Sequence, residues 1–192
     1  MNLLSFGEII WDSYGDSYTL GGAPLNLAAH YARQGGDAWL ASAVGNDVLG
    51  TRATEHIKAL GLKTDYVSVL DGLQTGECVV TLDEKSVPKY NILENVAYDQ
   101  ISLPVTLNQT FDVIAFGTLA LRSKQNVEAL ECILRNNTFG EIYTDLNIRP
   151  PFYSKESIEF CLANATIVKI RDEELPLVTL QLFGKNIACA DA

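Results

Sequence analysis

The sequence is poor in the residues and spacings that hold metals. Its two histidines, His30 and His56, and its four cysteines, Cys78, Cys132, Cys161 and Cys189, are scattered, and no cysteine pair has a Cys-x-x-Cys spacing. That removes zinc-ribbon and thioredoxin-type patterns. The thiols are expected to be reduced and mostly buried, because free cysteine packs as a small hydrophobe. Positive charge is scarce: 14 Lys and Arg stand against 24 Asp and Glu, a formal net charge of −10. That balance argues against a nucleic-acid partner, which calls for a basic face. No apolar run is long enough to span a bilayer. The opening MNLLSFGEIIWD has no basic segment, and Glu8 and Asp12 interrupt it, so it reads as a first strand rather than a signal peptide. No membrane partner and a cytoplasmic location are therefore expected. No GxGxxG follows a strand, and GxxxxGK[ST], GxSxG and HExxH do not occur. The dinucleotide fingerprint, the P-loop, the nucleophile elbow and the zincin helix are thus excluded. There is no internal repeat and no low-complexity tract.

What is present is an ordinary globular composition. Of 192 residues, 47% are hydrophobic and 20% charged, enough for one domain with a real core over residues 1–192. Strand and helix signals alternate. Leu3–Ile10 reads as a buried strand and Tyr14–Leu20 as a short one. Ala23–Gln34 reads as a helix, with Pro24 in its first turn and Gly35-Gly36 after its end. Ala38–Val44 is a buried strand, and Thr51–Leu60 a helix closed by Gly61. Tyr66–Leu70, Glu77–Leu82 and Pro88–Leu93 read as antiparallel strands projecting from the main sheet, with turns at Asp71-Gly72 and Asp83–Ser86. The rhythm then resumes: strand Phe111–Phe116, helix Lys124–Arg135, strand Glu141–Leu146, helix Ser154–Ala163 with Ser154 as cap, strand Thr166–Ile170, helix Asp172–Phe183. Such alternation predicts an α/β fold with a mostly parallel sheet and helices on both faces. A doubly wound sheet would continue past Ala192, so the ending reads as an interruption.

Four clusters could carry chemistry. Gly21-Gly22-Ala23-Pro24-Leu25-Asn26 runs into a helix; two glycines there permit close approach to free backbone N–H groups, and Asn26 adds a donor and an acceptor. A plain strand-to-helix turn is the alternative. Asp12 is expected at the carboxyl end of the first strand, where ligands of open α/β sheets collect; the alternative is a solvated turn aspartate. Asp145-Leu146-Asn147-Ile148-Arg149 should place Asp145 and Asn147 on one side and add the fork of Arg149; the alternative is a turn with an internal Asp–Arg ion pair. Lys169-Ile170-Arg171-Asp172-Glu173-Glu174 leads from a strand into an acidic helix start, which the helix dipole alone would explain.

In this order the segments Gly7-Glu8…Asp12, Gly21–Ala28, Gly45-Asn46-Asp47-Val48-Leu49-Gly50, Asp145-x-Asn147-x-Arg149 and Val168-Lys169-Ile170-x-Asp172-Glu173-Glu174 resemble the ribokinase-like (PfkB) family of carbohydrate kinases, most like its fructokinase branch. The resemblance implies a three-layer sandwich with a small β-sheet lid, formed by about residues 13–20 and 66–98 as an insertion, through which a homodimer would form. It implies a sugar substrate, fructose first, with ATP and Mg2+ as cofactors. Asp12, Gly21, Gly22, Asn26 and Arg149 match sugar-binding positions; Lys169 and Glu174 match cofactor-side positions, Glu174 through the family's Asn-x-x-Glu motif, which bears indirectly on the metal and phosphates. Arg171 stands where that motif has Asn. The family's DTxGAGD-like segment, source of the catalytic base and anion hole, does not occur here. The C-terminal part is therefore expected to be missing and the chain alone inactive. A non-catalytic sugar-binding or dimerising fragment, or a kinase for another sugar or a nucleoside, remain the other readings.

Overall fold

A computed structural model describes residues 1–82 and 88–187. The expected turn at Asp83–Ser86 and Cys189 lie outside the described residues. The described residues form a six-stranded sheet in the order β10-β9-β8-β1-β4-β5 and a four-stranded sheet in the order β3-β2-β6-β7.

The large sheet comprises β1 (Asn2–Phe6), β4 (Asp37–Gly45), β5 (Lys63–Leu70), β8 (Phe111–Gly117), β9 (Phe139–Asp145) and β10 (Ile167–Lys169). Every pairing in it is parallel. Period-2 alternation sends neighbouring side chains to opposite faces. Leu4, Trp39 and Ile114 pack with α3 (Lys124–Asn136), α4 (Lys155–Asn164) and α5 (Leu175–Phe183). Leu3, Leu40 and Ala115 pack with α1 (Ala23–Arg33) and α2 (Val48–Ala59). Helices thus cover both faces, the three-layer arrangement that alternation in the sequence predicts.

The small sheet is β2 (Ile10–Tyr14), β3 (Ser17–Gly21), β6 (Gly76–Leu82) and β7 (Pro88–Ile92). Four expectations need correction. Leu3–Ile10 is not one strand: the chain breaks at Gly7, where φ is 146°, and Ile10 opens β2 in the other sheet. Tyr14–Leu20 is a hairpin of β2 and β3 turning at Gly15. Residues 66–70 belong to β5, paired in parallel with β4 in the large sheet, not to the lid. The lid is also not purely antiparallel, since β2 and β6 run parallel. Sequence pattern cannot separate these cases, because an exposed edge strand of either sheet shows the same β-branched texture.

Local signals hold elsewhere. Asp47 caps α2 by accepting from the Gly50 N–H at 2.7 Å, so the helix starts three residues before the expected Thr51. Ser154 caps α4 by accepting from the Ser157 N–H at 3.1 Å. Pro176 sits in the first turn of α5 and delays its start to Leu175. Cys78 and Cys161 are buried free thiols and Cys132 is half-buried.

Candidate functional site

A cleft of about 860 Å³ opens between the lid and the carboxyl ends of the large sheet, where ligands of open α/β sheets bind. The lid lends it Asp12, Cys78 and Tyr90; the start of α1 lends Gly22 and Asn26; the ends of β9 and β10 lend Asp145, Arg149 and Lys169. Asp12 is therefore not at the end of the first strand. It sits in the middle of β2, paired with Thr19 on one side and Cys78 on the other. Mid-strand placement fixes its backbone on both sides while its side chain faces open space. Gly21 lies beside it: a Cβ there would stand 3.7 Å from Asp12 Oδ2.

The turn into α1 is tightly specified. Gly22 has φ 116°, and a Cβ on it would fall 2.4 Å from the Glu8 carbonyl oxygen. No other residue fits both constraints. Gly22 supplies no capping side chain, and the cap comes from elsewhere: the Ala23 N–H donates to Glu8 Oε1 at 3.0 Å. Glu8 is only 4% exposed. Burial pushes its carboxyl up to about 7, against the opposing pull of the backbone donors and of Arg149 and Arg122. Glu8 was not among the expected site residues. Its signal was a lone carboxylate inside an apolar run.

The segment after β9 keeps the expected alternation, with Asp145, Asn147 and Arg149 all lining the cleft. Leu146 and Ile148 are buried at 0% and 3% exposure, and Asn147 between them is left-handed at φ 41°. Asn tolerates that conformation better than most residues. Asp145 does not pair with Arg149. It accepts from Lys169 Nζ at 2.5 Å across the β9–β10 ends, and that bond raises the lysine above its ordinary range. Arg149 donates Nη1 to the Ile148 carbonyl at 3.3 Å and has no acidic partner among the described residues. Its remaining donors are available to a ligand. His30, one turn beyond Asn26 on α1, lines the same cleft, and sequence spacing had not singled it out.

The structure thus brings Asp12, Gly22, Asn26, Arg149 and Lys169 to one cavity. Glu174 is not among its lining residues. It is 1% exposed and engaged by in-chain donors: Ile148 N–H at 2.8 Å, Arg171 N–H at 2.9 Å and Arg171 Nη2 at 2.9 Å. Among the described residues, no group of three or more His, Cys, Asp or Glu could hold a metal. With its oxygens held by in-chain donors, Glu174 would bear on a bound metal only indirectly, as the resemblance implies. No helix among the described residues is long and apolar enough to cross a membrane.

Residues 6–188 match the family model described as pfkB family carbohydrate kinase. The chain is 24% identical over 202 residues to Fructokinase-2 of Solanum habrochaites, covering 92% of this chain and 61% of that protein. It superposes on a fructokinase of Xylella fastidiosa with bound ATP at a TM-score of 0.82 and 22% identity, over 94% of this chain and 61% of that one. A Vibrio cholerae fructokinase structure with fructose, ADP and potassium ion bound gives a TM-score of 0.78 at 20% identity, over 99% of this chain and 64% of that one. At such identities the structural likeness concerns the fold, a ribokinase-like α/β sandwich. The chain spans about three fifths of the length of these curated relatives. With the family model matched across residues 6–188, this chain belongs to the pfkB family of carbohydrate kinases.

Proposed function

We propose that these residues form the sugar-binding part of a fructokinase-like kinase, one that transfers a phosphoryl group from ATP, with Mg2+, to a sugar hydroxyl. The observation that carries this reading is the convergence of Asp12, Asn26 and Arg149, from three separate parts of the chain, on one cleft. A carboxylate accepts from two neighbouring hydroxyls, an amide both donates and accepts, and a guanidinium donates a planar fork. Together they suit a polyol. Gly21 and Gly22 keep the wall between them free of side chains. Curated relatives named fructokinase support fructose as the sugar.

The residues here bind and orient. Asp12, held mid-strand, fixes one face of the sugar, while Asn26 and the Asn147–Arg149 segment fix the other. Lys169 lines this same cleft, so its cofactor-side role would be played from the sugar side, steered by Asp145. ATP would supply the phosphoryl group; no side chain here is assigned as the base that accepts the hydroxyl proton. A second copy of the chain, meeting it through the lid, and a cytoplasmic location belong to the same proposal.

The test is calorimetry of the chain with fructose. Heat of binding that Asp12→Ala weakens about tenfold or more, the scale of a hydrogen bond to a charged group, is the expected result. No heat with fructose in the unaltered chain removes fructose as the ligand.

A further inference from the structure

The resemblance assigns Glu174 to the metal side, but its atoms are occupied otherwise. Oε1 accepts from the Ile148 N–H and from Arg171 Nη2, and Oε2 accepts from the Arg171 N–H. A carboxylate has about four lone-pair sites, and three of these are filled on a side chain that is 2% exposed. A divalent cation of oxygen-ligand type binds with much of its water or with several open oxygens. Neither fits beside a guanidinium already in contact. Arg171 itself meets two carboxylates, Glu173 at 2.9 Å and Glu174 at 2.9 Å.

The donors identify what the carboxylate does instead. Ile148 lines the cleft between Asn147 and Arg149, which line it too. Its side chain is buried and its N–H has Glu174 as acceptor. Without that acceptor a buried backbone donor would be left unpaired, next to a left-handed residue that the surroundings must hold in place. On the other side, the Arg171 N–H ties the same carboxylate to the loop leaving β10. Burial alone would raise this carboxyl, yet the donors from Arg171 and Ile148 outweigh it and hold it below its ordinary range, as a charged anchor.

We infer that Glu174, with Arg171, is a positioning brace for the Asn147–Arg149 wall of the cleft and is not a cation ligand in this chain. Its effect on a ligand rests on the sugar-binding reading above; the brace itself does not.

The experiment uses the full 192-residue chain with Glu174→Gln and Arg171→Asn. Hydrogen exchange at the Ile148 amide is expected to quicken about tenfold or more in Glu174→Gln and in the same direction, but less, in Arg171→Asn. Free Mn2+ followed by electron paramagnetic resonance is expected to show the same binding in the unaltered chain and in Glu174→Gln. Fructose affinity is expected to fall about tenfold in Glu174→Gln, and to fall no further when Glu174→Gln is added to Arg149→Ala. That last non-additivity separates positioning from a general loss of stability. Unchanged exchange at Ile148 overturns the brace, as does a Mn2+ site that disappears in Glu174→Gln. Additive losses with Arg149→Ala overturn its action through Arg149. If Glu174→Gln does not fold, unchanged exchange in Arg171→Asn overturns the brace. If the unaltered chain binds no fructose, the sugar reading falls while the exchange and Mn2+ measurements still decide the brace.

Discussion

The two sheets contribute to the cleft in opposite ways. The central strands of the large sheet are buried on both faces, as the pattern of β4 shows, with every residue after Asp37 buried, whereas the edge strand β10 is exposed along its length. They offer mainly their ends and following loops to a ligand, Asp145, Asn147, Arg149 and Lys169, with Tyr143 from within β9. Strands of the small sheet are solvated on one side; β3 and β7 are mostly exposed. They offer strand middles, Asp12 on β2 and Cys78 on β6. Where helices cover a parallel sheet on both sides, as at β4, it has no free face to present, whereas a one-sided sheet does. The large sheet therefore carries stability and the small one can carry recognition.

The sharpest way to break that division is to compare truncations. Leu130→Ala, at a fully buried α3 position in the core under the large sheet, is expected to cost about 2–5 kcal/mol in chemical denaturation. Tyr90→Ala in the lid, 67% exposed, is expected to stay within about 0.5 kcal/mol. Equal costs would end the comparison.

A smaller effect, and one that links the sheets, belongs to Glu8, on the stretch between β1 and β2. Its carboxyl rises from the ordinary 4.5 to about 7 because burial disfavours the charge. The folded state then binds the proton more tightly than the unfolded state between those values. Stability is expected to be fullest below pH 4.5, to fall as pH rises toward 7 and to level off above it, a change of about 3 kcal/mol. Denaturation midpoints across pH 4–8 should show that slope, and Glu8→Gln should flatten it. A slope that survives the substitution would assign it to another group.

The smallest effect concerns how the lid is tied down. Trp11 of β2 donates its indole N–H to the Leu49 carbonyl at 3.1 Å, and the Arg52 guanidinium lies 5.1 Å from the Trp11 ring and 5.9 Å from that of Tyr18. Arg52→Ala is expected to cost about 0.5–1 kcal/mol and to increase hydrogen exchange in β2 and β3 while leaving β8 and β9 unchanged. Exchange that rises equally in both sheets would show that the lid and the large sheet open as one unit.

Much of the large sheet was legible in the chain because parallel strands and their helices are written locally: apolar runs, Pro24 at a helix start, Ser154 as a cap, glycines after helix ends. The lid was less legible. Its strands are short, and whether Lys63–Leu70 pairs with β4 or with β6 is a long-range choice that neither texture nor turn residues encode. The site was legible as a set of residue types. Asp12, Asn26 and Arg149 could be picked out, but Asp12 was placed at a strand end, and the partner that the β9–β10 register gives Asp145, Lys169, could not be read from the sequence.

By itself the sequence determined the α/β class, the starts of α1 at Pro24 and of α4 at its Ser154 cap, the absence of P-loop and dinucleotide motifs, and the glycine pair that opens α1. Those are properties of neighbouring residues, and local sterics and hydrogen bonding decide them. Only the tertiary structure decided that Glu8 caps α1 from fifteen residues away, that Asp12 faces the cleft from mid-strand, and that Glu174 is spent on Ile148 and Arg171. Each depends on a pairing between segments distant in the chain, and burial then turns that pairing into a fixed charge, a raised pKa or a saturated carboxylate.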